Sequence, residues 1–239
     1  IFPVTTLRPE TIFGVTNLWV NPNVTYKKVS VDNETWIVSE ECVKKIEFFE
    51  KEVKIIGDIE GSEIIGKYAT VLHNNQEIPI LEAEFVEPGM GTGLVMSVPA
   101  HAPKDYQALM DLKAKNHELA SKIEPIPIIV TPGYDAYPGK QICEKLGVSN
   151  QTDEKLEEAT KELYLKEFTD GKLNEKCEQF NNEKVQYGRD KVRAWLQENN
   201  HLEKFPVLEN SPVHCRCGAE CVVKILNNQW FLNYGDEEW

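Results

Sequence analysis

The order of two patterns along the chain constrains its fold more than any other feature. Across residues 1–100, short runs of β-branched and aromatic residues alternate with Asn, Gly and Pro, which predicts strands. From Tyr134 the pattern becomes helical and stays so to about residue 200. Strands interrupted by helices and followed by a helical block favour a barrel or mixed sheet with helices outside it, a mixed α/β fold.

Capping signals place several helix ends. Ser39 is expected to cap a helix whose Val43, Ile46 and Phe49 share one face, and Pro103 to open another helix. Gly147 is a good C-cap, and Thr152 is expected to begin the next helix. The predicted strands are Trp19–Val20, Tyr26–Val31, Thr35–Val38, Lys54–Ile59, Tyr68–Leu72, Glu77–Phe85, Leu94–Val98 and the "PIPIIV" segment.

Composition excludes several classes of protein. A chain of 239 residues suffices for one large domain, or one domain with an appendage. Its 26 basic and 39 acidic residues give a net charge of −13, which argues against a broad nucleic-acid-coating surface but allows a pocket for a single-stranded end. No apolar run approaches ~18 residues, so no membrane span is expected. With no secretory signal, we expect reduced cysteines and a cytoplasmic location.

The stretch "TTLRPETIFG", from Thr5 to Gly14, is the first candidate site. Pro9 suits the first position of a helix, and Glu10 suits the positive end of its dipole. The three threonines of the stretch can satisfy orphan amides at a helix start, or they can face a ligand. Composition alone leaves both interpretations open.

A second candidate follows at residues 91–105. Gly91 and Gly93 allow the backbone to approach a ligand closely, and Met96 lies on the apolar strand after them. Asp105 falls in the first turn of a helix, where it could bind a substrate ammonium or simply cap the helix. His101 could act as a base or be an ordinary loop histidine.

The cysteine cluster near the end offers at most a weak metal site. Cys215, Cys217 and Cys221 follow His214 within eight residues, whereas structural zinc usually takes four ligands from two separated pairs. We expect a reduced thiol-bearing hairpin and no metal.

These stretches together resemble a known family. "TTLRPETIFGVTN" resembles the threonine-rich peptide of the editing domain of leucyl-tRNA synthetase, and the extra leucine in "TLRPET" is similar to the archaeal and eukaryotic cytosolic form. "GTGLVMSVPAHAPKDYQAL" resembles the second signature of that domain, and "PIPIIV" and "QWFLNYGDEEW" also fit. At Ala102 the chain departs from the bacterial signature, which carries a second aspartate there.

The resemblance implies the editing-domain (CP1) fold of class I aminoacyl-tRNA synthetases, with a barrel-like core and surrounding helices. Residues 1–205 would form the editing domain with a helical insertion at about 134–200, and residues 206–239 the return linker and the cysteine hairpin. The implied reaction is hydrolysis of the ester that joins norvaline, isoleucine or a similar wrong amino acid to tRNA(Leu). Leu-tRNA(Leu) would be spared.

The resemblance also implies roles for individual residues. Asp105 matches the aspartate that holds the substrate's α-ammonium, and Thr5 and Thr6 match the paired threonines near the ester and the attacking water. Thr11 matches the threonine that blocks the leucine side chain. Further matched positions form the amino-acid pocket wall and the contacts to the ester or the tRNA end: Met96 for the wall, and Arg8, Gly91, Thr92, Gly93 and His101 for the contacts.

The implied partners are the 3′ CCA end of mischarged tRNA(Leu) and the rest of leucyl-tRNA synthetase in the same chain, with no membrane and a monomeric state. Editing would need no cofactor, whereas the full-length synthetase would use ATP; this chain contains neither HIGH nor KMSKS and is not expected to charge tRNA alone. Two alternatives stay open: the editing domain of an isoleucyl- or valyl-tRNA synthetase, and a non-catalytic docking module stabilised by zinc.

Overall fold

The computed structural model describes residues 1–49, 51–208, 213–219, 221–226, 229–230, 232 and 235. Its strands are β1 (Asn17–Val20), β2 (Thr25–Val31), β3 (Glu34–Val38), β4 (Val53–Glu60), β5 (Tyr68–Val71), β6 (Gln76–Glu82), β7 (Val95–Ser97), β8 (Ile129–Val130) and β9 (Lys172–Leu173). Its α-helices are α1 (Glu40–Glu47), α2 (Gly61–Ile64), α3 (Pro103–Ala114), α4 (Glu118–Ser121), α5 (Pro138–Leu146), α6 (Lys155–Asp170) and α7 (Val185–Glu198).

Three sheets make up the β structure. A four-stranded sheet has the order β5-β6-β1-β7, in which β1 runs parallel to β6 and antiparallel to β7. The second sheet has the antiparallel order β3-β2-β4, and β8 pairs with β9. The mixed α/β class is therefore confirmed. The sheets do not close into a barrel within the described residues, because each keeps unpaired edge strands.

Strand β1 is buried on both faces and organises the core. Leu18 and Val20 point to one side, where they pack with Tyr26 and residues of the β2–β4 sheet. Trp19 points to the other side and packs against Leu109 and other apolar residues of α3. Because β1 lies between two apolar layers, its sequence "NLWV" has no polar alternation.

The helical segment 134–200 shares its core with the start of the chain. Helices α5, α6 and α7 pack in sequence, and α5 and α6 also contact α3. Phe13 is buried among residues of β9 and α7, including Leu173, Val192 and Leu196. The segment is therefore packed directly behind the threonine-rich peptide, so a side chain of these helices can influence that peptide.

The caps explain where sequence and structure agree and where they differ. Ser39 accepts a hydrogen bond from the Cys42 amide, and Gly147 is left-handed with φ 63°, so both predicted caps are confirmed. The helix expected to begin at Thr152 begins at Lys155 instead. Asn150 Oδ1 accepts from both the amide and the hydroxyl of Thr152, which commits Thr152 to a turn before the helix.

The cysteine segment forms a short turn in its described residues. The Cys215 amide donates to the Ala219 carbonyl at 2.8 Å, and the Cys221 amide donates to the Val213 carbonyl at 2.7 Å. Much of "QWFLNYGDEEW" lies outside the described residues. Across the part of the chain that the structure describes, no helix is both long and apolar enough to cross a membrane.

Candidate functional site

The threonine-rich peptide forms a bend that leads into a 3-10 helix at Pro9–Gly14, with Pro9 at its start. The amide of Thr11 and its hydroxyl both donate to the Arg8 carbonyl, at 3.0 and 2.7 Å. The Arg8 amide donates to Thr6 Oγ1 at 2.9 Å. The backbone of Arg8 thus fixes the side chains of both Thr6 and Thr11.

Thr5 contacts the glycine-rich turn before β7. A Cβ placed on Gly91 would lie 1.9 Å from Thr5 Oγ1, so no residue with a side chain fits there without displacing the Thr5 hydroxyl. Gly91 also has φ +58°, a left-handed conformation that glycine adopts without penalty. The structure therefore joins the two predicted stretches at Thr5 and Gly91, which lie 86 residues apart in the chain.

The next two residues of this turn are buried and largely committed. The Thr92 carbonyl accepts from the Ser39 amide at 2.9 Å, and the Gly93 amide donates to the Met90 carbonyl at 3.0 Å. Tyr26 donates its hydroxyl to the Gly93 carbonyl. The Thr92 hydroxyl is buried without a hydrogen-bond partner among the described residues. Gly93 thus shapes the turn, and its amide is not available to a substrate.

Asp105 lies in the first turn of α3 and is 5% exposed. Its Oδ1 accepts from Trp19 Nε1 at 3.0 Å, and its Oδ2 accepts from the Val98 amide at 2.8 Å. Burial raises the pKa of Asp105 to about 7, although these two hydrogen bonds oppose the shift. These two hydrogen bonds therefore orient the carboxyl group rigidly. A cation placed beside it would strongly stabilise its ionised form.

Met96 lies on β7, opposite Leu18 of β1, and is half-buried. It packs against the core of the central sheet together with Val4 and Phe2 from the start of the chain. Met96 and the residues just before the threonine-rich peptide therefore border the same hydrophobic core.

Arg8 and His101 are held by internal contacts. Arg8 Nη2 donates to Glu167 Oε2 at 2.7 Å, and its Nε donates to Glu10 Oε1 at 3.1 Å. The His101 side chain is fully buried. Its Nε2 accepts from the amides of Ile128 and Ile129, and its Nδ1 lies 2.6 Å from Glu167 Oε1. The expectation that His101 contacts the tRNA end is therefore replaced by a structural role, because no ring nitrogen is exposed.

Three residues of this region were not singled out from the sequence. Trp19 orients Asp105, Glu167 pairs with Arg8, and the ring of Tyr164 lies 4.4 Å beneath the Arg8 guanidinium. Burial raises the pKa of Tyr164 to about 12; Arg8 lowers it, whereas the charges of Asp105 and Glu167 raise it further. Tyr164 thus lies within electrostatic range of both Asp105 and Arg8.

The cysteine cluster is exposed at Cys215 and Cys217 and half-buried at Cys221. Hydrogen bonds from the backbone and side chain of Cys217 lower the pKa of the Cys215 thiol. Among the described residues, no three His, Cys, Asp or Glu side chains come together as a group that could hold a metal ion.

Comparisons with known proteins identify the class of protein to which this fold and site belong. The sequence model described as "Leucyl-tRNA synthetase, editing domain" matches residues 1–126, which is more than half of the chain. The leucine–tRNA ligase of Methanocaldococcus jannaschii is 43% identical over 253 aligned residues, and that of Methanothrix thermoacetophila is 46% identical over 245. Both alignments cover 100% of this chain but 26% of the relative, so the chain spans about a quarter of these ligases.

Solved structures agree with the fold. The crystal structure of GlLeuRS-CP1 is 27% identical, with a TM-score of 0.75, and the match covers 87% of this chain and 84% of that one. The editing domain of the P. falciparum cytosolic leucyl-tRNA synthetase has the same TM-score at 22% identity, with 83% and 76% covered, and supports the fold alone. The chain belongs to the leucyl-tRNA synthetase editing-domain family. The editing-domain fold predicted from the sequence is thereby confirmed.

Proposed function

We propose that this chain is the editing domain of a leucine–tRNA ligase and that it hydrolyses the ester of mischarged tRNA(Leu). The substrates would carry norvaline, isoleucine or a similar aliphatic amino acid, and Leu-tRNA(Leu) would be spared. The observation that carries the proposal is Asp105, a buried carboxylate that is oriented through both oxygens by Trp19 and Val98. Family membership supports the same reaction.

Asp105 would hold the α-ammonium of the misacylated amino acid. Each carboxylate oxygen accepts one internal hydrogen bond and keeps capacity for another. An ammonium at this position would stabilise the ionised form, so binding would reverse the rise in pKa that burial causes. Because the ester carbonyl and the ammonium are attached to the same α-carbon, holding the ammonium would fix where the carbonyl lies relative to the groups of the site, which is the positioning that hydrolysis needs.

Thr5 and Thr6 would orient the attacking water. Thr6 is exposed, and its Oγ1 is already held by the Arg8 amide; Thr5 lies against Gly91. A water held by these hydroxyls would attack the ester carbonyl, and the bond to the terminal ribose oxygen would break with transfer of a proton to that oxygen. The proposed reaction has no covalent intermediate, and hydrogen bonds to the developing oxyanion would lower its barrier.

Thr11 would act as the specificity residue and Met96 as one wall of the pocket. The hydroxyl of Thr11 is bound to the Arg8 carbonyl, so its rotamer is fixed and its methyl group has a single position. A fixed methyl can reject the branch of leucine while a differently branched or straight chain passes. A second, excluding site is needed because one methylene contributes only about 1–3 kcal/mol of discrimination.

The remaining assignments concern the residues around the ester and the partners of the domain. Gly91 and Thr92 would lie beside the ester, and Arg8 would hold the peptide that faces the terminal adenosine. The 3′ CCA end of tRNA(Leu) and the other domains of the ligase are the proposed partners, in a monomeric, cytoplasmic enzyme that uses ATP for charging only. A net charge of −13 fits a domain that holds only the tRNA end.

The test is deacylation of Ile-tRNA(Leu) by the full-length ligase and its Asp105→Ala variant. We expect the wild type to clear the ester and Asp105→Ala to lose clearance, because the variant lacks the carboxylate that is proposed to hold the ammonium. The matched control is Asp111→Asn on the same helix, whose carboxylate binds Gln107 and the Gln151 amide instead. Clearance by Asp105→Ala at the wild-type rate would refute the assignment.

The family match also bears on the two alternatives. The matching sequence model and the two ligases compared above are leucyl rather than isoleucyl or valyl enzymes. A zinc-stabilised docking module without activity would show stoichiometric zinc in the purified protein together with no deacylation of Ile-tRNA(Leu).

A further inference from the structure

Glu167 is a charged residue on the buried face of a helix. It continues the stripe of Leu156, Ala159 and Leu163 along α6 and has no exposed side-chain surface. A carboxylate in such a position is costly unless charged or hydrogen-bonding groups surround it. The hydrogen-bond partners of Glu167 therefore indicate the role of its side chain.

Both oxygens of Glu167 are occupied. Oε2 accepts from Arg8 Nη2 at 2.7 Å, and Oε1 lies 2.6 Å from His101 Nδ1. The tautomer of His101 follows from its other nitrogen: Nε2 accepts from two backbone amides and so carries no proton. Nδ1 therefore carries the proton and donates a hydrogen bond to Glu167 Oε1. A neutral histidine and a charged arginine thus share one buried carboxylate.

Arg8 is enclosed by the groups around it. Its guanidinium binds Glu10 and Glu167, lies over the Tyr164 ring and reaches the His101 carbonyl at 3.4 Å. Burial alone lowers the pKa of Arg8, but the charges of Glu167 and Glu10 raise it above its ordinary value. Tyr164 and Glu167 lie one helical turn apart on α6, so this helix supplies two of the groups that fix the guanidinium.

The backbone of Arg8 then passes this constraint to the threonines. Its amide donates to Thr6 Oγ1, and its carbonyl accepts from the hydroxyl and the amide of Thr11. A displacement of the guanidinium would shift both peptide groups, and with them the side chains of Thr6 and Thr11. The path from α6 to these hydroxyls therefore runs through the hydrogen bond from Arg8 Nη2 to Glu167, the covalent side chain of Arg8, and the hydrogen bonds of its backbone to Thr6 and Thr11.

We propose that Glu167 is a positioning residue for ester hydrolysis, through which the helical segment 134–200 holds the threonine-rich peptide in its active geometry. The inference rests on the proposed editing function and deepens it, since it assigns the helical segment a part in the reaction. Glu167 acts through Arg8 and does not itself touch the substrate.

The test uses Glu167→Gln in the full-length ligase. Glutamine keeps the size of the side chain, but an NH2 group replaces one of the two carboxylate oxygens. That NH2 group then faces a donor, either Arg8 Nη2 or His101 Nδ1. We expect kcat for Ile-tRNA(Leu) hydrolysis to fall at least about tenfold, with KM unchanged to within about threefold, because orientation rather than binding is lost. Aminoacylation and the thermal unfolding midpoint are measured on the same preparation.

The matched control is Glu162→Gln, on the same helix. The Glu162 carboxylate accepts hydrogen bonds from Lys145 and Tyr134 and, among the described residues, makes no hydrogen bond or ion pair with Arg8, so its replacement should leave kcat unchanged. Arg8→Lys provides a second variant, which keeps the charge and removes the fork of hydrogen bonds. It should lower kcat as well, and in the double variant with Glu167→Gln the two losses should not add.

Three results would overturn the inference. Glu167→Gln could keep the wild-type kcat, Glu162→Gln could lose as much, or the losses of Arg8→Lys and Glu167→Gln could add. Where Glu167→Gln does not fold, an unchanged kcat in Arg8→Lys overturns it. A wild-type ligase that does not hydrolyse Ile-tRNA(Leu) would instead refute the proposed function, so the two failures can be told apart.

Discussion

Replacement of Asp105 should remove a specific pH dependence of stability. Burial raises the pKa of this carboxyl from 3.8 to about 7 in the folded chain. Between these values the folded state keeps the proton that the unfolded state has lost, so the free energy of unfolding falls as pH rises. The shift is about 3 pKa units, which corresponds to at most about 4 kcal/mol at about 1.4 kcal/mol per unit.

The assay is denaturant unfolding of residues 1–239 at several pH values from 5 to 8, for the wild type and Asp105→Asn. Asparagine adds a pH-independent loss, because its amide group faces the Val98 or Trp19 donor. The stability of the wild type relative to the variant should therefore fall by about 2.5 kcal/mol from pH 5 to pH 8, with most of the change below pH 7.

Asp153 provides the matched control. Hydrogen bonds from the Lys155 and Ser149 amides lower its pKa, so its contribution to stability is lost only as pH falls below the ordinary aspartate range. The comparison of wild type with Asp153→Asn should be flat from pH 5 to pH 8. A flat Asp105 comparison, or one that rises with pH, would refute the reasoning about burial.

Two further predictions concern the site. Gly91→Ala and Gly66→Ala should each lower the free energy of unfolding by about 1–2 kcal/mol, because both glycines are left-handed. Only Gly91→Ala should slow ester hydrolysis. Its Cβ meets the Thr5 hydroxyl, whereas a Cβ on Gly66 would have no atom within 4 Å. Equal hydrolysis by both would contradict the role of Thr5. Thr11→Ala should allow cleavage of Leu-tRNA(Leu), whereas Thr11→Val, which keeps the methyl group, should still spare it; cleavage by both variants would show that the methyl group is not the barrier.

Local signals in the sequence predicted much of the fold. The cap at Ser39, the left-handed end at Gly147 and the helix opened by Pro103 follow from rules that need no knowledge of distant contacts. Such rules do not decide whether the sheets of a barrel-like core close, and they place the start of a helix at Thr152 although it begins at Lys155. Sheet closure depends on which distant strands pair, and at Thr152 a side-chain turn competes with the helix.

The site was predictable in its parts but not in its connections. The contact between Thr5 and Gly91 joins two stretches that the sequence marked separately. For His101 the residues alone leave a base or an ordinary loop histidine open, and only the family resemblance implies a contact to the tRNA end. A histidine in a loop gives no sign that two amides and a carboxylate will enclose its ring. Glu167 did leave a signal: it is a carboxylate in register with the apolar stripe of α6, where a solvated residue would break the pattern.

The central claim is that this chain discriminates after the amino acid has been attached to tRNA. The most direct measurement compares the rates at which the full-length ligase releases isoleucine from Ile-tRNA(Leu) and leucine from Leu-tRNA(Leu), against release without enzyme. We predict release of isoleucine at least about 100-fold faster than release of leucine, with leucine released at the uncatalysed rate. Equal release of both amino acids, or release of neither above the uncatalysed rate, would contradict the account.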